Sequence, residues 1–506
     1  MHTTRFLPAA LAAAAAALAL AGCGPASDAP ASAGARFGDI AFEPCSLQGA
    51  AGVEPVSAQC GTFEVAENPA QPDGRRIDLR IAWLPANKGS AVGTGDPVFF
   101  LAGGPGQAAT EHAAAVQRML GDVAKTRDIV LVDQRGTGGS NPLECVDANG
   151  EPMAFGPALE SPDRIAAFAR ECAAGLADHA DPRFYTTTDA VRDLEAVRAA
   201  LGVEQVNLVG VSYGTRVAQQ YAATHPDRVR TIVLDGVAPN SLVVGGEFAQ
   251  TLEDALALQS AKCRELPACA RRYPVDMRER LRTVMERLEA APVEVDYRHP
   301  RTGRLEHGTV TADAVGGLAF MFSYAPQTAS LLPLVIDEAA QGRYAPLMSL
   351  VEMNTLRMEG QMTRGMQWSV ICAEDAGRWQ PGSGGDDTLM GDAVAEGLFA
   401  ACDGWPHGSA PEGFHAPFAS DLPVLLLSGE LDPVTPPRYG EQVVEHLPNG
   451  RHLVLAGQGH NVSWIGCAPK LVGQFIEGAD AAALDASCLD TLSYVPPFVT
   501  FNGWSP

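Results

Sequence analysis

At 506 residues the chain exceeds one typical domain, and its 46% hydrophobic content is that of a globular protein with a sizeable core. A formal charge of −24 disfavours nucleic acid as a partner, because a phosphate backbone would be repelled rather than neutralised.

After Arg5 an alanine- and leucine-rich stretch runs from Phe6 to Leu20, too short for a stable membrane span, and ends in Leu20-Ala21-Gly22-Cys23. It resembles a bacterial lipoprotein signal. Residues 1–22 would be the leader, Cys23 the acylated first mature residue, and 23–39 a flexible tether; a plain secretory peptide cleaved near Ala21 is the alternative. The expected location is extracytoplasmic and membrane-anchored, in the periplasm or at the cell surface. Eleven cysteines less Cys23 leave an even set, as suits a compartment where disulfides persist. Sequence neighbours are the expected pairs: Cys45 with Cys60, Cys145 with Cys172, Cys263 with Cys269, Cys372 with Cys402, and Cys467 with Cys488. Neither a Cys-x-x-Cys pair nor a His-Glu-x-x-His helix occurs, so no metal site is expected.

Thr62 to Val65 and Ile77 to Leu84 flank a turn-rich segment and predict an antiparallel lead-in hairpin. Short apolar runs follow at Val98 to Leu101, Ile129 to Val132, Val206 to Val209 and Ile232 to Leu234, the pattern of strands buried on both faces. Between them, Asp189 to Leu201 reads as a helix with Val191, Leu194, Val197 and Leu201 on one stripe, Thr187 or Thr188 as N-cap, and Gly202 just past the end. This alternation predicts an open α/β sheet. From 239 to 416 the pattern is mostly helical without regular strand spacing, and the sheet signature returns at Val424 to Leu427 and Leu453 to Leu455. The economical reading is a core in two halves, 40–238 and 417–506, with a helical cap over 239–416 above the carboxyl ends of the strands.

Gly210-Val211-Ser212-Tyr213-Gly214 lies between a strand and a helix, where glycines let the backbone double back and leave a serine hydroxyl exposed. A serine needs a base, an orienter for that base and donors for an oxyanion. Asp432, in Gly429-Glu430-Leu431-Asp432-Pro433-Val434-Thr435-Pro436, and His460, in Gly457-Gln458-Gly459-His460-Asn461, each follow a strand. Ser212 is the candidate nucleophile, His460 the base and Asp432 its orienter, and this chain order is that of α/β-hydrolases. The backbone N–H of Tyr213 is one expected oxyanion donor; the turn Leu101-Ala102-Gly103-Gly104-Pro105-Gly106 supplies the other, Gly104 first and Gly103 second. No Gly-Lys-Ser/Thr follows that turn, and Gly136-Thr137-Gly138-Gly139 lacks the third glycine of a dinucleotide fingerprint, so no cofactor is expected.

In this order, Gly103 to Gly106, Asp133-Gln134-Arg135-Gly136-Thr137-Gly138-Gly139-Ser140 and the Ser212 elbow resemble prolyl iminopeptidases and the exported tripeptidyl-aminopeptidase-like serine peptidases. The Gly429 to Pro436 segment and the Cys467/Cys488 tail favour the second, larger group. The resemblance covers roughly 40 to 490 and implies an α/β-hydrolase fold, a large helical cap, and release of amino acids or short peptides from free N-termini. Ala102 departs from the histidine usual in prolyl iminopeptidases, which weakens a prolyl-specific reading. Peptides with a free amine are the expected substrates. Glu374, in a loop fixed by Cys372, is the expected anchor for the ammonium, with Asp375 and Asp403 behind it. Arg135 is expected to brace the oxyanion turn. A carboxylesterase or lipase could use the same triad; a non-catalytic binding lipoprotein would show a broken one.

Overall fold

The central strands of this protein are apolar but for Asn207, and they are buried along their whole length, so the sheet they form must be covered on both faces. The computed structural model describes residues 34–48, 54–86, 95–147, 149–151, 153, 161–358, 360–383, 385 and 387–503. The leader, Cys23 and the tether up to residue 33 lie outside the described residues. The strands are β1 (Ala35–Phe37), β2 (Ile40–Leu47), β3 (Val56–Ala66), β4 (Arg76–Leu84), β5 (Val98–Leu101), β6 (Ile129–Val132), β7 (Val206–Val211), β8 (Val229–Asp235), β9 (Val293–Arg298), β10 (Leu305–Val310), β11 (Val424–Gly429) and β12 (Gly450–Leu455).

Ten of them form one sheet in the order β1-β2-β3-β4-β6-β5-β7-β8-β11-β12. The expected lead-in hairpin is β3 and β4, antiparallel with Val65 opposite Ile77. The end of the expected tether is instead sheet: β1 pairs antiparallel with β2, and Phe37 is buried against Trp83. From β6 onward, in the order β6-β5-β7-β8-β11-β12, neighbours run parallel. Their carboxyl ends therefore lie along one edge, where an open α/β sheet presents its site.

The helix Thr187–Ala200 begins two residues before the expected Asp189. Thr186 is its N-cap and shares a reciprocal capping box with Asp189, which leaves Thr187 inside the first turn. All five expected disulfides are present.

The insertion between β8 and β11 has two parts. Helices Phe248–Glu265, Met277–Ala290, Ala312–Ser323 and Leu332–Ala340 enclose a core of their own around Leu256, Leu281, Val284 and Leu318. Beside them lies a hairpin of β9 and β10 that the sequence reading did not anticipate. Val293, Val295 and Tyr297 alternate there with Glu294, Asp296 and Arg298, which is strand periodicity in a half-exposed ribbon. The second part, the helix Arg364–Glu374, buries Met366, Trp368 and Ile371 in the same core as the sheet. That helix is thus part of the main body.

Candidate active site

The turn after β7 is forced by close approach. A Cβ at Gly210 would stand 2.4 Å from the Gly214 carbonyl oxygen, and one at Gly214 would stand 2.1 Å from that of Leu101. Between them Ser212 adopts φ 54° and ψ −125°, a strained backbone that an L-residue holds only where its surroundings dictate it. The Ser212 N–H donates to the Asp235 carbonyl at 2.8 Å, pinning the elbow to the end of β8.

His460, after β12, brings Nε2 to 3.0 Å from Ser212 Oγ. Its Nδ1 lies 2.8 Å from Asp432 Oδ2, after β11. The three expected residues are therefore brought together in the geometry of a nucleophile, a base and its orienter. Asp432 accepts further hydrogen bonds from the Val434 N–H (2.8 Å), the Thr435 N–H (2.9 Å) and Thr435 Oγ1 (2.9 Å). Burial opposes its charge, yet His460 and these donors outweigh it and hold the carboxyl below its usual value. For His460 burial opposes the imidazolium, but Asp432, by charge and hydrogen bond, and Asp235 raise the imidazole above its ordinary value.

Two supporting residues escaped the sequence reading. Thr435 stands three residues after the acid, a spacing that allows a short side chain to return to the carboxylate. Asp235, fully buried, accepts from the Val462 and Ser463 N–H groups at 2.8 and 2.9 Å, tying β8 to the loop that carries the base. An aspartate closing an apolar strand was its only signal.

Tyr213 opens the helix Tyr213–Thr224, so its N–H is among the donors a helix leaves unsatisfied, and it points out at the nucleophile's end. Gly103 is the glycine pressed against Ser212: a Cβ there would lie 3.1 Å from Ser212 Cβ. Gly104 follows with φ 110°, a conformation that favours glycine. Arg135 differs from expectation. It binds Asp193 with two contacts of 2.6 Å and the carbonyls of Glu67 and Phe184, so it ties β6 to the helix Thr187–Ala200 and the lead-in hairpin. The segment after the Gly103 to Gly106 turn is held by Asp133, which accepts from the Thr110 N–H at 2.8 Å and from Thr110 Oγ1 at 3.0 Å.

Glu374 and Asp375 lie at the end of the helix Arg364–Glu374, with Cys372 in its last turn, and so not on an open loop. Both are buried. Glu374 accepts from the Thr187 N–H at 2.7 Å and from Thr187 Oγ1 at 2.9 Å. Thr187 Oγ1 also lies 2.6 Å from the Tyr213 hydroxyl. Arg216 Nη1 is 3.0 Å from Asp375 and 3.7 Å from Glu374. One guanidinium thus faces two carboxylates, and burial, offset in part by Arg216, pushes Glu374 up to about 8. Asp403 is exposed.

Residues 96–288 match the model of the alpha/beta hydrolase fold family, and 387–488 match that of the TAP-like proteins. The chain has the α/β-hydrolase fold. This hydrolase is 27% identical over 493 residues to the serine protease Hip1 of Mycobacterium tuberculosis, a match covering 89% of this chain and 91% of that one. It is 33% identical over 196 residues to the tripeptidyl aminopeptidase of Streptomyces lividans, covering 36% of each chain. It is 32% identical over 143 residues to the proline iminopeptidase of Neisseria gonorrhoeae, covering 28% of this chain and 33% of that one. The protein is accordingly a serine hydrolase similar to serine peptidases and aminopeptidases, and its ten-stranded sheet is the framework on which Ser212, Asp432 and His460 converge.

Proposed function

We propose that this enzyme is an extracytoplasmic serine exopeptidase that releases amino acids or short peptides from free N-termini. The observation that carries the reading is the Ser212–His460–Asp432 chain of contacts at 3.0 and 2.8 Å in a protein whose nearly full-length relative is a serine protease. Ser212 Oγ attacks the carbonyl of the scissile bond while His460 Nε2 takes its proton. The oxyanion is received by the N–H groups of Tyr213 and Gly104. His460 then gives the proton to the leaving amine, and water hydrolyses the ester on Ser212 through the same base.

A peptide's ammonium needs anionic surroundings when it leaves water. Glu374 and Asp375 place two carboxyl groups around one guanidinium, joined through Thr187 to Tyr213; Glu374, raised to about 8 by burial, would give up its proton against an incoming ammonium, and we assign the pair the amine-recognition role. Cleavage of a free-amine peptide anilide should exceed that of its N-acetylated form by orders of magnitude. Equal rates, or faster turnover of simple esters, would move the assignment to a carboxylesterase.

Export and lipid attachment at Cys23 belong to the same proposal. The lipobox-like Leu20 to Cys23 supports them, as do five disulfides among the ten other cysteines. Cys23→Ala should move the protein from the detergent phase to the aqueous phase in a partition assay; unchanged partitioning would remove the anchor from the proposal.

A further inference from the structure

The inserted segment reaches the triad itself. Tyr324, at the end of the helix Ala312–Ser323, offers its carbonyl to the His460 N–H at 2.7 Å. Its ring meets the His460 imidazole edge to face, with centroids 5.1 Å apart. The contact requires a glycine on the other side, since a Cβ at Gly459 would fall 2.2 Å from the Tyr324 carbonyl oxygen. Behind Tyr324 the rings of Phe320 (5.5 Å) and Phe248 (5.3 Å further on) continue the stack to the helix Phe248–Glu265.

That second helix holds the acid's loop. Thr251, fully buried, donates from Oγ1 to the carbonyl of Pro433, the residue after Asp432, at 2.6 Å. Lys262 binds Glu430 at 2.8 Å, and Glu430 accepts the Gly457 N–H at 2.7 Å, joining the acid loop to the base loop. Ser212, by contrast, is fixed by β7, β8 and the turn after β5, all in the main body.

We propose that Tyr324 and Thr251 are positioning residues through which the inserted segment sets the base and the acid against the nucleophile. Chemistry at Ser212 then depends on the docking of the first part of the insertion. A near-attack alignment is lost over displacements of about 1 Å, so slackening either contact removes reactivity even toward a reagent that needs no peptide-binding cleft. The inference rests on the triad and is independent of peptide specificity.

The test uses the full chain and a small alkyl fluorophosphonate, followed by labelling rate at Ser212, with kcat and KM on a peptide anilide. Tyr324→Ala should slow labelling by roughly 10- to 100-fold and lower kcat with KM little changed. Tyr324→Phe, which keeps the ring on the His460 imidazole, should recover a rate within about threefold of wild type. If the insertion only shapes the substrate cleft, Tyr324→Ala raises KM and leaves labelling at the wild-type rate, and the proposal is overturned. Should Tyr324→Ala show no cooperative unfolding transition, Thr251→Val decides: slowing of labelling beyond about twofold supports the proposal, and less overturns it. Labelling that survives Ser212→Ala would instead remove the triad on which the proposal stands.

Discussion

Thr435 Oγ1 lies 2.9 Å from Asp432 Oδ2, the same oxygen that His460 Nδ1 approaches at 2.8 Å, and 3.1 Å from that Nδ1. The threonine hydroxyl therefore shares the carboxylate with the His460 imidazole and fixes which way Asp432 faces. Thr435→Val keeps the shape and removes the donor. A hydrogen bond to a charged group is worth about 1.5–3 kcal/mol, so kcat should fall roughly 10-fold or more; steady-state kinetics with an unchanged unfolding midpoint would check this.

The pH profile follows from the base. His460 must be neutral at Nε2 to accept the serine proton, and its imidazole is held above the ordinary 6.5 by Asp432 and Asp235 against the opposing effect of burial. The acid limb of kcat/KM should therefore fall above pH 6.5, with activity rising as pH increases through it. Asp432→Asn removes the charge and the correct tautomer, and should lower kcat by about 10⁴-fold. A limb below 6.5 in wild type would contradict the contacts described for His460.

Glu374 makes stability depend on pH in the opposite sense from an ordinary ion-paired carboxylate. Its carboxyl is raised from 4.5 to about 8 by burial, against the pull of Arg216. A raised folded value means that the folded state binds the extra proton, so the stabilising contribution is complete below about 4.5 and is lost as pH rises through about 8. Thermal unfolding from pH 5 to 8 should show a declining midpoint, and Glu374→Gln should flatten that decline. The same variant should raise KM for free-amine peptides more than for N-acetylated ones.

Gly103→Ala tests the oxyanion turn. The new methyl would stand 3.1 Å from Ser212 Cβ and 3.0 Å from Gln107 Oε1, so the turn or the nucleophile must shift. Loss of one oxyanion donor costs about 10²–10³ in kcat, and a fall of that order with KM little altered is the expected kinetic signature.

Much of this was legible in the chain because central parallel strands, buried on both faces, must be short unbroken apolar runs, and Val98 to Leu101 or Val424 to Leu427 can be little else. Ser212, Asp432 and His460 were legible because each follows such a run in a turn-forming segment. What the sequence concealed depends on distant partners. Glu374 looked like a residue on an open turn because nothing local announces Arg216, 159 residues before Asp375. Arg135 reads as a neighbour of the glycine-rich turn until Asp193 is brought beside it. The β9–β10 ribbon escaped because its alternating valines are only half covered, so its apolar signal is weak in a segment dominated by helical periodicity.

The separation of 248 residues between Ser212 and His460 has a consequence for how the molecule comes into being. Along the chain Ser212, its strained elbow and the turn after β5 come long before β12, the strand that delivers His460. A chain that stops before β12 would hold Ser212 without the His460 contact. The two residues can meet only when β11 and β12 add to the sheet beside β8, so their contact reports that the whole parallel half of the sheet is assembled.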